Sequence, residues 1–528
     1  MMVYTLNSIY SCIIGYFTMI GKIKKNFINL SMVFLMLSAS LAFGLKFAIK
    51  RIFGATAIGE IATALLLPVI GSEKRLIRRL VATILLYTLI PLGLMILFLF
   101  GNKINYVTKQ KIIAAISSLL FSVSLFPAVS EIAKTIGNYN HPNELLRNYF
   151  VSPKKISVTF PHKKRNLIYI MVESLESSFF SKVHGGAMDD NVIPELYKLA
   201  QDNICFSVDN NCLGMKPSRD CWTMAATVAQ SSGIPFIVPW GENEYPSELK
   251  FLPGVTSLFD ILHNNSYKQA YICGSKVHFS GMDNFLKTHK VDFVYDLITA
   301  KQEKFVPEDY DDGWWGMEDK KTFDYAKKKI MEISNSDSPF ACVIATIDTH
   351  FWGGNFRDDC CRHQFDEQWL NVYACTSRLV NAFVEWLKKQ PFYSDTTIVI
   401  VGDHPTRLHG YTPMADDYHQ HVYNCFINSP VAPLKEKNRD FTLYDMFPTI
   451  LASLGCEIQG DRLGLGTNLF SDKNTLYEEL GEEAFWEKIG TEKSDKVDFW
   501  YYFSPGNCRD YNELFLLNSS EQYKNRKS

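Results

Sequence analysis

Four consecutive apolar residues, Ile398-Val399-Ile400-Val401, run straight into Gly402-Asp403-His404, and this run constrains the fold more than any other in the chain. Apolar side chains without polar alternation read as a strand buried on both faces, as in a parallel sheet covered by helices. Asp403 and His404 then stand where the strand leaves the sheet. Ligands of open α/β sheets bind outside the carboxyl ends of the strands, so a carboxylate and an imidazole at this exit are placed to hold a metal ion. Taken alone, the same dipeptide is only a polar turn after a core strand.

Other segments extend the pattern. Asn166-Leu167-Ile168-Tyr169-Ile170-Met171-Val172-Glu173 is a second apolar strand ending in a carboxylate, and Ala270–Gly274 and Phe340–Thr346 read as further strands. Trp369–Lys389 carries Leu370, Tyr373, Leu379, Val380, Phe383 and Leu387 on one stripe and reads as an amphipathic helix. Strand and helix in alternation predict an α/β domain with a mainly parallel sheet and helices on both faces.

The N-terminal part differs in kind. Tyr4–Ile20, Ile28–Phe47, Ile52–Ile70, Leu80–Phe100 and Ile112–Ile132 are candidate membrane spans, and Leu80–Phe100 carries no charge over the length needed to cross the hydrocarbon core. The expected organisation is an α-helical, multi-span membrane domain over 1–136, a Pro-containing linker over 137–162, a catalytic domain over 163–475 and a C-terminal extension over 476–528. Basic clusters at Lys22–Lys25 and Lys74–Arg79 both favour the cytoplasmic side. Span parity alone leaves the side of the catalytic domain open.

A net charge of −2 and a pI near 6.6 lack the basic excess of a nucleic-acid binder, so no nucleic-acid partner is expected. Twelve cysteines, including the adjacent pair Cys360-Cys361, show no zinc-finger ladder; Cys205 and Cys212 could pair in an oxidising compartment.

Glu173, Asp403 and His404 together offer oxygen and imidazole ligands that suit Mn²⁺, Mg²⁺ or Zn²⁺. A metal there calls for a nucleophile. Thr223 opens a run of small and apolar residues that ends at Gly233 and Pro235, so it sits in the first turn of a helix, where the dipole favours an anion. As an isolated threonine it would be an N-cap, and Ser218 and Cys221 compete for the nucleophile's role. His350, in Asp348-Thr349-His350, is a candidate general acid or phosphate contact. His409, His419 and His421 follow the Asp-His strand, and Lys276, His278 and Lys287 are candidates for the same cleft; for each, an ordinary loop or solvated position is the simpler reading.

The order of the Glu173 strand, Trp222-Thr223, Asp348-Thr349-His350 and Gly402-Asp403-His404 resembles membrane-anchored members of the alkaline-phosphatase and sulfatase superfamily. Within it, the chain is similar to phosphoglycerol transferases that decorate periplasmic glucans and to lipoteichoic acid synthases. Phe441–Leu451 followed by Asp461–Phe470 looks like the closing segment of the glucan-modifying group, and Ser231-Ser232-Gly233-Ile234-Pro235 like the segment after its nucleophile helix. The resemblance covers about residues 165–475 and implies a metal, Mn²⁺ first and Zn²⁺ or Mg²⁺ as alternatives, on Glu173, Thr223, Asp403 and His404. It implies Thr223 as the phosphoryl-accepting hydroxyl and His350 as a contact to the phosphate; Lys276 and His409 are expected beside them as substrate contacts on the reading of the residues alone. It also implies a bacterial inner-membrane protein with its catalytic domain in the periplasm, a membrane phospholipid donor, and an envelope glycan or lipopolysaccharide acceptor.

The Trp and Arg that help bind the headgroup in lipoteichoic acid synthases fall at Ser280 and Met282. Phosphoglycerol transfer is therefore accompanied by an alternative, phosphoethanolamine transfer to lipopolysaccharide. A sulfatase- or phosphatase-type hydrolase is a further reading, although the nucleophile segment lacks the Cys/Ser-x-Pro/Ala-x-Arg pattern of formylglycine enzymes. A receptor that keeps the fold without the metal is disfavoured by four competent ligand side chains.

Overall fold

The computed structural model describes residues 31–44, 47, 74–101, 104–138, 148–217, 222–236, 250–311, 313–351, 353–406 and 420–490. These fall into two compact units, one up to Lys134 and one from Thr135 on. In the first, helices α1 (Ser31–Gly44), α2 (Lys74–Gly101) and α3 (Tyr106–Asn138) are described. Only α2 among the described residues is long and apolar enough to cross a membrane: Val81–Phe98 has a mean hydropathy of 2.3. This matches the predicted span Leu80–Phe100. Helix α1 is apolar but shorter, and α3 covers the predicted fifth span without reaching that apolarity. The expected spans Tyr4–Ile20 and Ile52–Ile70 lie outside the described residues.

The second unit is built on a six-stranded sheet. Its strands are β1 (Asn166–Val172), β2 (Lys268–Cys273), β3 (Phe293–Tyr295), β4 (Phe340–Ala345), β5 (Thr396–Gly402) and β6 (Asn424–Ile427), in the order β3-β2-β4-β1-β5-β6. All neighbours pair in parallel except β5 and β6, so the predicted parallel sheet carries an antiparallel edge. The alternation of β1 shows why its sequence is apolar throughout. Leu167, Tyr169 and Met171 enter one core, while Ile168, Ile170 and Val172 enter the other. Helices α4 (Thr223–Ser232) and α7 (Met446–Ser453) cover the first face, and α5 (Asp319–Ser334) and α6 (Gln368–Leu387) the second. Burying a Leu- or Phe-sized side chain contributes about 1.5–3 kcal/mol, so a sheet buried on both sides fixes strand ends firmly.

The boundaries expected from composition are less sharp in the structure. Part of the predicted linker joins the fold: Val158–Thr159 pairs with Glu457–Ile458, and Val151 and Gly464 exchange backbone hydrogen bonds of 2.8 Å. Past residue 475, Leu476, Tyr477, Phe485 and Trp486 are buried in the first core, and the buried Arg439 guanidinium donates to Glu478 at 3.0 Å.

Candidate active site

The site forms where β1, β4 and β5 leave the sheet together. Val172 stands opposite Gly402 in the parallel register, so the next residues, Glu173 and Asp403, emerge side by side. Gly402 is required by close approach: a Cβ there would lie 2.1 Å from Leu175 O. Ser174 takes a left-handed conformation (φ 52°), which turns the chain so that its N–H donates to Asp403 Oδ1 at 2.7 Å. The Ser174 hydroxyl donates to Glu173 Oε1 at 2.8 Å. A non-glycine residue held at positive φ beside such a group is strain of the kind found at functional sites.

Glu173, Asp403 and His404 are all buried, and one ligand atom from each lies within 4.8 Å of the others. His404 Nε2 is 3.4 Å from both Glu173 Oε1 and Asp403 Oδ2. His404 Nδ1 lies 2.9 Å from Pro405 O, a contact that assigns the ring hydrogen to Nδ1 and turns the Nε2 lone pair toward the two carboxylates. Asp403 Oδ2 is buried with no hydrogen-bond partner in the protein. Converging lone pairs and an orphaned buried carboxylate oxygen fit a cation. The electrostatics agree. Burial and the Glu173 charge push the Asp403 carboxyl well above the usual range, whereas Glu173, despite burial, is held below it by His404, His350 and the Ser174 and Thr223 hydrogen bonds.

Thr223 is the first residue of α4. The N-cap is Trp222, and the Thr223 hydroxyl donates to Glu173 Oε2 at 3.1 Å instead of capping the helix. Gly233 ends α4 in the left-handed region (φ 64°), its N–H donating to Ala229 O at 2.8 Å. From the last turn of the helix, Gln230 Nε2 donates to the carbonyls of Gly402 and Asp403 at 3.2 and 3.3 Å, and Gln230 in turn accepts from Tyr169. Helix α4 and the end of β5 are therefore bound through one buried amide.

Beyond β4, Ile347 N and Asp348 N donate to the Asp319 carboxylate at 2.7 and 3.2 Å, and Asp319 N donates back to Asp348 Oδ2 at 3.0 Å. Burial pushes Asp319 up to about 7, and burial with the Asp319 charge pushes Asp348 well up. This exchange fixes the turn that presents His350. His350 Nδ1 donates to Phe351 O at 2.7 Å, its ring packs on Trp315 with centroids 4.5 Å apart, and its charge helps hold Glu173 down. Thr346 and Thr349 hydroxyls bracket the Glu173 backbone, the first accepting from its N–H at 3.0 Å and the second donating to its carbonyl.

The structure thus brings Glu173, Thr223, His350, Asp403 and His404 to one place. Lys276 is exposed in the turn after β2, and the described contacts do not join it to the triad. His278 faces Asp283, and Lys287 lines a cavity of about 690 Å³ with Lys154, Lys250 and Lys290 that excludes the triad residues. His421 is buried, its carbonyl accepting from Ser177 N at 2.9 Å. Ser280 and Met282 are buried. Ser218, Cys221, His409 and His419 lie outside the described residues. Ser174, Gln230, Tyr169, Thr346 and Thr349 were missed by sequence reasoning; only the polar Gln230 within an apolar helix left a signal.

Known proteins similar to this chain are as follows. Phosphoglycerol transferase I from Escherichia coli (strain 55989 / EAEC) is 32% identical over 291 residues, covering 54% of this chain and 36% of that protein. The chain therefore spans about a third of the length of the curated relatives it matches. Among solved structures, a protein in the alkaline phosphatase superfamily from Vibrio parahaemolyticus aligns at a TM-score of 0.45 with 18% identity, over 65% of this chain and 77% of that one. The lipoteichoic acid synthase LtaP from Listeria monocytogenes aligns at 0.44 with 18% identity, over 60% and 79%. The sulfatase family profile matches residues 165–456, more than half of the chain and all of the strands that carry the site, so the chain belongs to the sulfatase family of enzymes.

Proposed function

We propose that this chain is a metal-dependent phosphotransferase that moves the phosphoglycerol headgroup of a membrane phospholipid to a cell-envelope glycan through a phosphothreonine at Thr223. The observation that carries the reading is the Thr223 hydroxyl, aimed at Glu173 from the first turn of a helix beside the Asp403-His404 pair. The name of the relatives matched over the catalytic part, phosphoglycerol transferase I, supports it. Glu173, Asp403, His404 and Thr223 would hold the ion, for which we propose Mn²⁺ before Zn²⁺ or Mg²⁺. When bound, a divalent cation supplies Lewis acidity that lowers the hydroxyl pKa and offsets charge on the phosphoryl oxygens.

Glu173 orients Thr223 Oγ1 and takes up its proton as the oxygen attacks phosphorus. The bond from phosphorus to the diacylglycerol oxygen breaks, and His350 protonates that oxygen through Nε2, since Nδ1–H is committed to Phe351 O. The N-terminal end of α4 favours the anionic phosphoryl group. In the second half, His350 takes the proton of an acceptor sugar hydroxyl as its oxygen attacks phosphorus, the bond from phosphorus to Thr223 Oγ1 breaks, and Glu173 returns its proton to that oxygen. The apolar N-terminal region, as a multi-span anchor in a bacterial inner membrane with the catalytic unit on the periplasmic side, keeps the lipid donor in reach.

Ser280 and Met282, where lipoteichoic acid synthases carry Trp and Arg, favour keeping a second reading, transfer of phosphoethanolamine to lipopolysaccharide. The full chain in detergent with Mn²⁺, given phosphatidylglycerol or phosphatidylethanolamine, tests both by release of diacylglycerol. Release from phosphatidylglycerol alone is expected. Release from phosphatidylethanolamine alone supports the second reading, and release from neither overturns both.

A further inference from the structure

Away from the triad, three sulfurs converge. Cys360 and Cys361 sit in a tight turn in which both their N–H groups donate to Arg357 O, at 3.1 and 2.7 Å, and Cys375 comes from the buried face of α6. Cys375 Sγ lies 3.2 Å from Cys360 Sγ, Cys360 Sγ lies 3.9 Å from Cys361 Sγ, and all three are within 4.8 Å of one another. Thiolates about 2.3 Å from a tetrahedral Zn²⁺ stand about 3.8 Å from each other, a separation the two measured distances bracket. Arg357 N–H also donates to Cys361 Sγ at 3.5 Å, the kind of outer hydrogen bond that orients a ligand sulfur. A disulfide needs two sulfurs; the third, with an amide aimed at it, is what a three-thiolate site needs.

We propose that Cys360, Cys361 and Cys375 form a second metal site, distinct from the Glu173-Asp403-His404 centre, which takes a thiophilic divalent cation of the Zn²⁺ and Cd²⁺ class. Binding exchanges three S–H protons, released to solvent, for three metal–sulfur bonds, with no change of oxidation state. Cys360 is partly buried and Cys361 is 9% exposed, which leaves an entry for an ion, while Cys375 at 3% anchors it. The ion ties the segment that runs from the Asp348-His350 turn to Cys361 onto α6.

The test titrates the reduced full chain in detergent with Cd²⁺ and follows the ultraviolet cadmium–thiolate charge-transfer band. The expected result is a band complete at about one equivalent, weakened at least roughly tenfold in affinity in Cys375→Ser and unchanged in Cys342→Ser, whose thiol is buried in β4. Cd²⁺ is also expected to protect Cys360 and Cys361 from alkylation, read by peptide mass. Cys361→Ser, at the edge of the cluster, gives the same reading if Cys375→Ser does not fold. A band of equal strength in both cluster variants, or no band at all, overturns the site. So does a Cys360–Cys375 disulfide in protein that takes up no Cd²⁺.

Discussion

Replacing Asp403 by Asn separates what the triad costs the fold from what it does. In the metal-free protein two buried carboxylates offer oxygens no more than 4.8 Å apart. At an effective dielectric near 20 they repel by at least about 3 kcal/mol when both are ionised. The proton that burial and Glu173 favour on Asp403 relieves part of this, so a neutral side chain recovers only the remainder. Asn keeps the two bonds accepted by Oδ1, from Ser174 N and His404 N at 2.7 Å each, and turns an N–H₂ toward Glu173 where the orphaned Oδ2 stood. With a chelator present, Asp403→Asn is therefore expected to raise the thermal midpoint of the full chain in detergent by roughly 2–4 °C. Adding Mn²⁺ is expected to reverse the order, stabilising the wild type and leaving the variant unmoved. A variant less stable than wild type in chelator would show that the two carboxylates do not strain the metal-free fold, and a wild type indifferent to Mn²⁺ that the triad holds no such ion.

Other expectations follow from single residues. His404→Ala is expected to bring bound Mn²⁺, measured by elemental analysis, from about one equivalent to near none while the circular dichroism spectrum is kept. Gly402→Ala, whose Cβ would press on Leu175 O, is expected to cost about 1–3 kcal/mol of stability and to weaken metal binding with it, read by thermal midpoint and titration. Burial pushes the Glu176 carboxyl up to about 8 from 4.5, so its contribution to stability is full below about 4.5 and is lost as pH climbs to about 8. Between pH 6 and 8 that loss is roughly 2–3 kcal/mol, and Glu176→Gln is expected to flatten the profile of thermal midpoint against pH.

How much of this was legible depended on where the determining contacts lie. The continuous apolar runs of β1, β4 and β5 were read correctly because both faces of those strands are buried, and their carboxyl-terminal Glu173, Asp403 and His404 were placed with them. Predicted as 369–389, α6 spans Gln368–Leu387, with Leu370, Tyr373, Val380, Phe383 and Leu387 buried and Leu379 half-buried, as the stripe requires. Gly233 marked the end of α4 because a left-handed residue is a local signal. Edge strand β6 was missed, since Asn424-Cys425-Phe426-Ile427 is too short to distinguish itself and takes its direction from β5. The positive φ of Ser174 was not legible because serine carries no preference for the left-handed region, and the Gln230 bridge and the Asp319–Asp348 exchange were not because each joins residues far apart in sequence.

In the proposed reaction the Thr223 hydroxyl takes the phosphoryl group. The full chain in detergent, incubated with phosphatidylglycerol and Mn²⁺, quenched in acid and digested, gives the most direct measurement: tandem mass spectrometry of the peptide that contains Thr223. A glycerophosphate adduct is expected on Thr223, kept in Thr223→Ser at the same position and lost in Thr223→Ala. An adduct on Ser218 or Cys221, or one that persists in Thr223→Ala, would contradict it.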